Sequence, residues 1–195
     1  GRQEDRGRAR RKDTADPALT GYRAPAWLPG GHAQTIYPLL IKPDPLPYRR
    51  ERWETADGYF IDLDWSDPPP APGGPPVSPP LLILFHGLEG SSASHYAISL
   101  MRACSSIGWS GVVVHFRGCS GEINRLPRAY HSGDSEEIDW ILRRLQGLVP
   151  GRSCYAVGIS LGGNALLKWL GEREADAATC LRAAAAVSAP LDLSV

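Results

Sequence analysis

The sequence predicts an α/β fold with a mostly parallel central sheet, and three observations predict it. Residues 81–85, 111–116 and 154–159 are short apolar runs without polar alternation, as in strands covered on both faces. Helical stripes follow them in turn. They are Tyr96, Leu100, Met101, Cys104 and Ile107, ended by Gly108; then Ile138, Ile141, Leu142 and Leu145; then Ala165, Leu166, Trp169 and Leu170. Strands that alternate with helices in this way give parallel neighbours joined by right-handed crossovers.

Composition bounds the function. A chain of 195 residues makes one domain or a little more, and 43% hydrophobic with 22% charged residues is ordinary for a soluble globular protein. Its 21 basic residues balance 21 acidic ones, so no net field draws it to nucleic acid or to an anionic membrane. No apolar run approaches the ~18 residues of a membrane span, and the first residues carry no apolar leader core. Cys104, Cys119, Cys154 and Cys180 form no Cys-x-x-Cys pair. They read as reduced thiols of a cytoplasmic protein, not as a disulfide frame or zinc site. No histidine spacing fits a metal, and neither metal nor cofactor is expected.

Residues 1–20 mix charges with few bulky apolar side chains and read as a disordered tail. Glu4, Asp5, Asp13 and Asp16 weigh against a basic nucleic-acid arm. Residues 21–195 read as the N-terminal and central part of a single domain. Within them, 21–47 form an ordered segment packed on the domain, where Pro and Gly interrupt any long helix. His32, beside Gly30-Gly31, reads as a structural residue. Ala56-Asp57-Gly58 between the extended runs 51–55 and 59–65 signals a hairpin. Asp62 and Asp64 give its second strand a wetter face. Eight prolines in the thirteen residues from Pro68 to Pro80 make a stiff exposed connection, or a partner's Pro-rich ligand. Residues 117–133 are a long loop. The helix over 134–146 has Asp134, Glu136 and Glu137 at its start and Arg143 and Arg144 near its end, complementing its dipole. Gly147 to Gly151 breaks it. Residues 183–188 make a last short strand and a sheet edge.

The chemistry centres on Gly158-Ile159-Ser160-Leu161-Gly162-Gly163. With 21 glycines the bare Gly-x-Ser-x-Gly pattern is weak evidence, but here a strand runs into it and a helical stripe leaves it. That context is a nucleophile elbow: Ser160 on a strained strand-to-helix turn, with Gly158 and Gly162 where side chains would clash. Leu161 N–H opens the helix and aims at a developing oxyanion. The second donor comes from the loop after the first strand, His86-Gly87-Leu88, best assigned to Leu88 N–H. Parallel strands put that loop and Ser160 at one edge of the sheet, where ligands of such sheets bind.

Ser160 needs a base, and all five histidines (His32, His86, His95, His115, His131) precede it. Elbow enzymes run Ser, then acid, then His, so acid and base are expected beyond residue 195 and this stretch alone is expected to be inactive. His86 and Gly87 are expected to line the site, His86 holding the oxyanion loop in shape. His131, in Tyr130-His131-Ser132-Gly133, lines the site or caps a helix. Cys119 lacks a recognisable base.

Five blocks carry a resemblance: Trp27-Leu28-Pro29-Gly30-Gly31-His32-Ala33-Gln34-Thr35, Phe85-His86-Gly87-Leu88-Glu89-Gly90-Ser91, His115-Phe116-Arg117-Gly118-Cys119-Ser120-Gly121-Glu122, Tyr130-His131-Ser132-Gly133 and Gly158-Ile159-Ser160-Leu161-Gly162-Gly163-Asn164. In this order, over about residues 22–190, the chain resembles the YheT-like α/β-hydrolases, whose eukaryotic relatives are membrane-associated lipases. The resemblance implies an α/β-hydrolase fold, incomplete at the C-terminus. It also implies a serine carboxylic-ester hydrolase acting on a small-molecule or lipid ester through an acyl-enzyme on Ser160. An acyltransferase with the same intermediate and a non-catalytic binding module are the alternatives.

Overall fold

The computed structural model describes residues 23–40, 43–68, 78–123 and 134–192. The tail 1–20, most of the proline-rich connection, the later half of the 117–133 loop and His131 lie outside the described residues. The chain divides into two units, residues 1–41 and residues 42–195.

In the first unit the Pro25–Leu28 turn leads into helix α1 (Gly31–Leu40), ten residues long, with Pro38 inside it. Gln34 Nε2 donates back to Leu28 O at 3.3 Å, and Trp27 meets Tyr37 edge-on at 5.0 Å. His32 stands exposed in the first turn.

The second unit is a six-stranded sheet with helices. In chain order its strands are β1 (Arg49–Glu54), β2 (Phe60–Ser66), β3 (Leu81–Phe85), β4 (Ser110–His115), β5 (Cys154–Ile159) and β6 (Ala183–Val187). Helices α2 (His95–Ser106), α3 (Ser135–Leu148), α4 (Leu161–Arg173) and α5 (Ala177–Cys180) lie between them. The spatial order is β1-β2-β4-β3-β5-β6. The β1–β2 and β2–β4 pairs are antiparallel; β4, β3, β5 and β6 run parallel, as their alternation with helices requires. Among the described residues, no helix is long and apolar enough to cross a membrane.

Both faces of β3 are covered, which explains its unbroken apolar run. Leu81, Ile83 and Phe85 join Val112, Val114, Ile138, Ile141, Leu142, Leu145, Leu166 and Trp169 in the larger core. Leu82 and Leu84 pack with Val113 against Ala97, Met101 and Cys104 of α2.

Three local expectations need correction. The hairpin forms as expected, with Gly58 at φ +81°, but β2 has no wet face: Asp62 and Asp64 are 1% and 2% exposed. The turn fixes a register that sets Arg52 opposite Asp62 and Arg50 opposite Asp64, and each guanidinium grips its carboxylate through two bonds of 2.7–2.8 Å. Paired in this way, the charges lose water without being stranded. Ile107 caps α2 and is 64% exposed instead of joining its buried stripe. Helix α3 runs through Gly147 to Leu148, beyond the expected break. Its Glu137 lies in the first turn, as expected, and is also a buried partner of Arg117.

Candidate active site

Ser160 sits between β5 and α4 at φ +51°, ψ −115°. A side-chain-bearing residue at such a φ is strained, typically by ~1–3 kcal/mol, and persists only when its surroundings hold it. Three bonds do so. Ser160 N–H donates to Val187 O at 2.8 Å, Ser160 O accepts from Asn164 N–H at 3.0 Å, and Asn164 Nδ2 donates to Pro190 O at 2.7 Å.

The elbow glycines are there for space. A Cβ on Gly158 would stand 2.6 Å from Gly162 O and from Gly163 Cα. One on Gly162 would meet not Gly158 but the carbonyls at and just after the end of β3, Phe85 O and His86 O, the latter at 2.5 Å. One on Gly163 would come within 2.9 Å of Gly158 O. The first turn of α4 therefore rests directly on the ends of β3 and β5.

The structure brings the β3 loop to the serine. The point where a Cβ on Gly87 would stand is 3.2 Å from Ser160 Cβ and 3.9 Å from its Oγ. Leu88 is the next residue, its side chain 72% exposed. Leu161 is the first residue of α4. Neither the Leu88 nor the Leu161 N–H is engaged by a backbone acceptor among the described residues.

His86 is fully buried, and both its nitrogens are committed. Nε2 accepts Phe116 N–H at 3.0 Å, so the ring proton belongs on Nδ1, which lies 2.7 Å from Gly87 O and donates to it. Burial pushes its pKa down to about 4, against the pull of the Gly87 carbonyl.

Sequence reasoning missed the polar frame beside this loop. Asp64 accepts from Arg50 Nε and Nη2, from Ser92 Oγ at 2.5 Å and from His115 Nε2 at 2.9 Å. Burial raises its carboxyl pKa, but the bonds from Arg50, His115 and Ser92 outweigh burial and hold it well below the usual carboxylate range. His115 Nδ1 faces Cys119 O at 3.2 Å, Arg50 Nη1 reaches Ser120 O and Arg52 Nη1 reaches Glu122. The hairpin thus ties down both the start of α2 and the loop after β4. The signal was present in the sequence: Arg-x-Arg before the Asp57-Gly58 turn and Asp-x-Asp after it fold onto each other.

A parallel sheet that ends in a strand–serine–helix elbow, with a glycine loop from the adjacent strand against the serine, defines the α/β-hydrolase class. A family profile described as the alpha/beta hydrolase fold matches residues 80–191. The chain belongs to this family. It is 46% identical over 164 residues to the protein named "Putative esterase YheT" of Escherichia coli (strain K12), across 83% of this chain and 46% of that one. It is 32% identical over 153 residues to human "Phospholipase ABHD3", across 77% of this chain and 37% of that one. Among solved structures, the esterase Pf2001 of Pyrococcus furiosus matches with a TM-score of 0.57 at 19% identity, covering 78% of this chain and 60% of that one, a likeness of fold alone. The YheT-like resemblance seen in the five blocks holds. The chain spans about half the length, or less, of these curated relatives.

Proposed function

We propose that this chain carries the nucleophile and the oxyanion donors of a serine carboxylic-ester hydrolase. The observation that carries the reading is Ser160 at φ +51° on the β5–α4 turn, with Gly87 packed against it. Strain of this kind keeps a hydroxyl clear of its own strand and helix. Ser160 Oγ attacks the ester carbonyl, the oxyanion takes the N–H groups of Leu88 and Leu161, the alcohol leaves, and water releases the acyl group.

The base comes from elsewhere in the full-length protein. His86 spends both nitrogens on backbone partners, and His115 faces Asp64 and Cys119. In elbow enzymes acid and base follow the serine, so we place both after residue 195. Among the described residues the apolar Leu88 and Leu161 stand next to the serine and its loop, which suits an uncharged acyl ester.

The test compares full-length protein, full-length Ser160→Ala and residues 1–195, with a short-chain chromogenic ester and a fluorophosphonate that marks activated serines. Turnover and labelling at Ser160 are expected in the full-length protein alone. Losing the triad histidine costs on the order of 10⁶ in turnover. Undiminished turnover by Ser160→Ala would refute the nucleophile, and robust turnover by residues 1–195 would refute the downstream base. Adding an alcohol acceptor separates hydrolysis from acyl transfer.

A further inference from the structure

Gly87 links two peptide planes beside Ser160. The second plane contains Gly87 C=O and Leu88 N–H, which point in opposite directions because the peptide is planar and trans. Gly87 O is held by His86 Nδ1–H at 2.7 Å and by Gly90 N–H at 3.0 Å. Two donors on the carbonyl therefore turn Leu88 N–H away from the loop's interior.

The first plane contains Gly87 N–H, which donates to the Tyr96 hydroxyl at 3.1 Å. Tyr96 comes from the first turn of α2, and its ring packs on the smaller core. Gly90 leaves room for this phenol: a Cβ there would overlap the Tyr96 hydroxyl and stand 3.0 Å from His86 Cβ. Glycine is the residue least able to hold its own φ and ψ. Here Tyr96 holds one side of it, and His86 with Gly90 holds the other.

We infer that Tyr96 is a positioning residue, whose hydroxyl, by fixing the plane before Gly87, keeps Leu88 N–H aimed at the oxyanion. The inference rests on the ester-hydrolase reading above. Tyr96 touches neither ester nor Ser160 in this role; it acts through Gly87. Removing its hydroxyl frees one of the two planes, so the donor is retained but held from one side of Gly87 only. The loss is therefore smaller than the ~10²–10³ of deleting a donor outright.

The experiment uses the full-length protein as wild type, Tyr96→Phe and Gly90→Ala, with active sites counted by fluorophosphonate titration. Gly90→Ala reaches the same loop from the other side: its methyl displaces the phenol and also crowds Gly87 O at 3.1 Å, so Tyr96→Phe isolates the hydroxyl. Both variants should lose about 5- to 50-fold in kcat per titrated site with KM within about twofold, between the worth of one hydrogen bond and that of an oxyanion donor. Inhibition by a trifluoromethyl ketone, whose adduct carries the oxyanion, should weaken by the same factor. A residue that only supports the fold would lower the number of titrated sites and the melting temperature and leave kcat per site unchanged. Unchanged kcat per site in both variants, or a rise in KM alone, overturns the inference. A wild type that is neither labelled nor active overturns the hydrolase reading and the inference with it; an active wild type with indifferent variants overturns the inference alone.

Discussion

Gly162 has no room for one more carbon. Its Cβ would have to share space with Phe85 O and His86 O, backbone atoms at the end of β3 that no rotamer change can move aside. Gly171, nine residues further along the same helix, has nothing within 4 Å of the same position. The two glycines therefore predict opposite outcomes. Gly162→Ala should destabilise by ~3 kcal/mol or more, at or beyond the upper range of overpacking, and should abolish labelling of Ser160. Gly171→Ala should be neutral or stabilise by up to ~1 kcal/mol, because alanine favours a helix. Urea titration of the two full-length variants checks this, and equal midpoints would show that the helix can lift off β3 without cost. The glycine pattern itself was legible in the sequence. The identity of the atoms that exclude a side chain was not, because they belong to a strand some eighty residues earlier.

At the scale of elements, the β1–β2 hairpin braces the mouth of the sheet. Its register sets two arginines against two buried aspartates, and the far ends of the arginines reach the loop after β4. Asp64 alone receives Arg50, Ser92 and His115, so it joins β1, β4 and the approach to α2. Asp64→Asn replaces one acceptor oxygen with an NH₂ that faces donors, and it should cost about 3 kcal/mol, the lower end for breaking a buried charge pair. Urea midpoints of the full-length protein measure the loss; a change under ~1 kcal/mol would mean that the network is no better than a surface pair. Strands β3, β4 and β5 could be read from their apolar runs, because burial on both faces leaves an unmistakable composition. The burial of Asp62 and Asp64 could not, because alternation with Ile61, Leu63 and Trp65 looks the same whether a polar face meets water or arginine. Tyr96 was legible only as one apolar member of a helical stripe; its hydroxyl acts through a single contact that periodicity does not record.

At the scale of the molecule, buried ionisable groups make stability depend on pH in two separate windows. His86 has a folded-state pKa of about 4, below its ordinary value of 6.5. Between those values the unfolded chain binds a proton that the folded one refuses, so stability rises with pH across the window and is lost as pH falls through it. The loss from pH 7 to 4 is on the order of 3 kcal/mol. Asp64 is depressed instead, so its contribution persists above the ordinary carboxylate pKa of ~3.9 and disappears only as pH falls below it. His86→Gln can make the same two bonds, an oxygen toward Phe116 N–H and an amide toward Gly87 O, without titrating. Urea midpoints between pH 7 and 4 should fall in the wild type and stay nearly level in this variant. Parallel curves would remove His86 as the cause.

The conformation of Ser160 is held from outside its own strand. Val187 O, at the end of β6, takes Ser160 N–H, and Pro190 O just beyond takes the side chain of Asn164. The four alanines and one valine of β6 carry little side-chain bulk. Ser160 and the carbonyls that hold it are thus carried on different parts of the sheet. A probe that captures Ser160 reads more than reactivity: it gauges whether β6 is in place, and could follow the docking of that strand while the rest of the sheet stays intact.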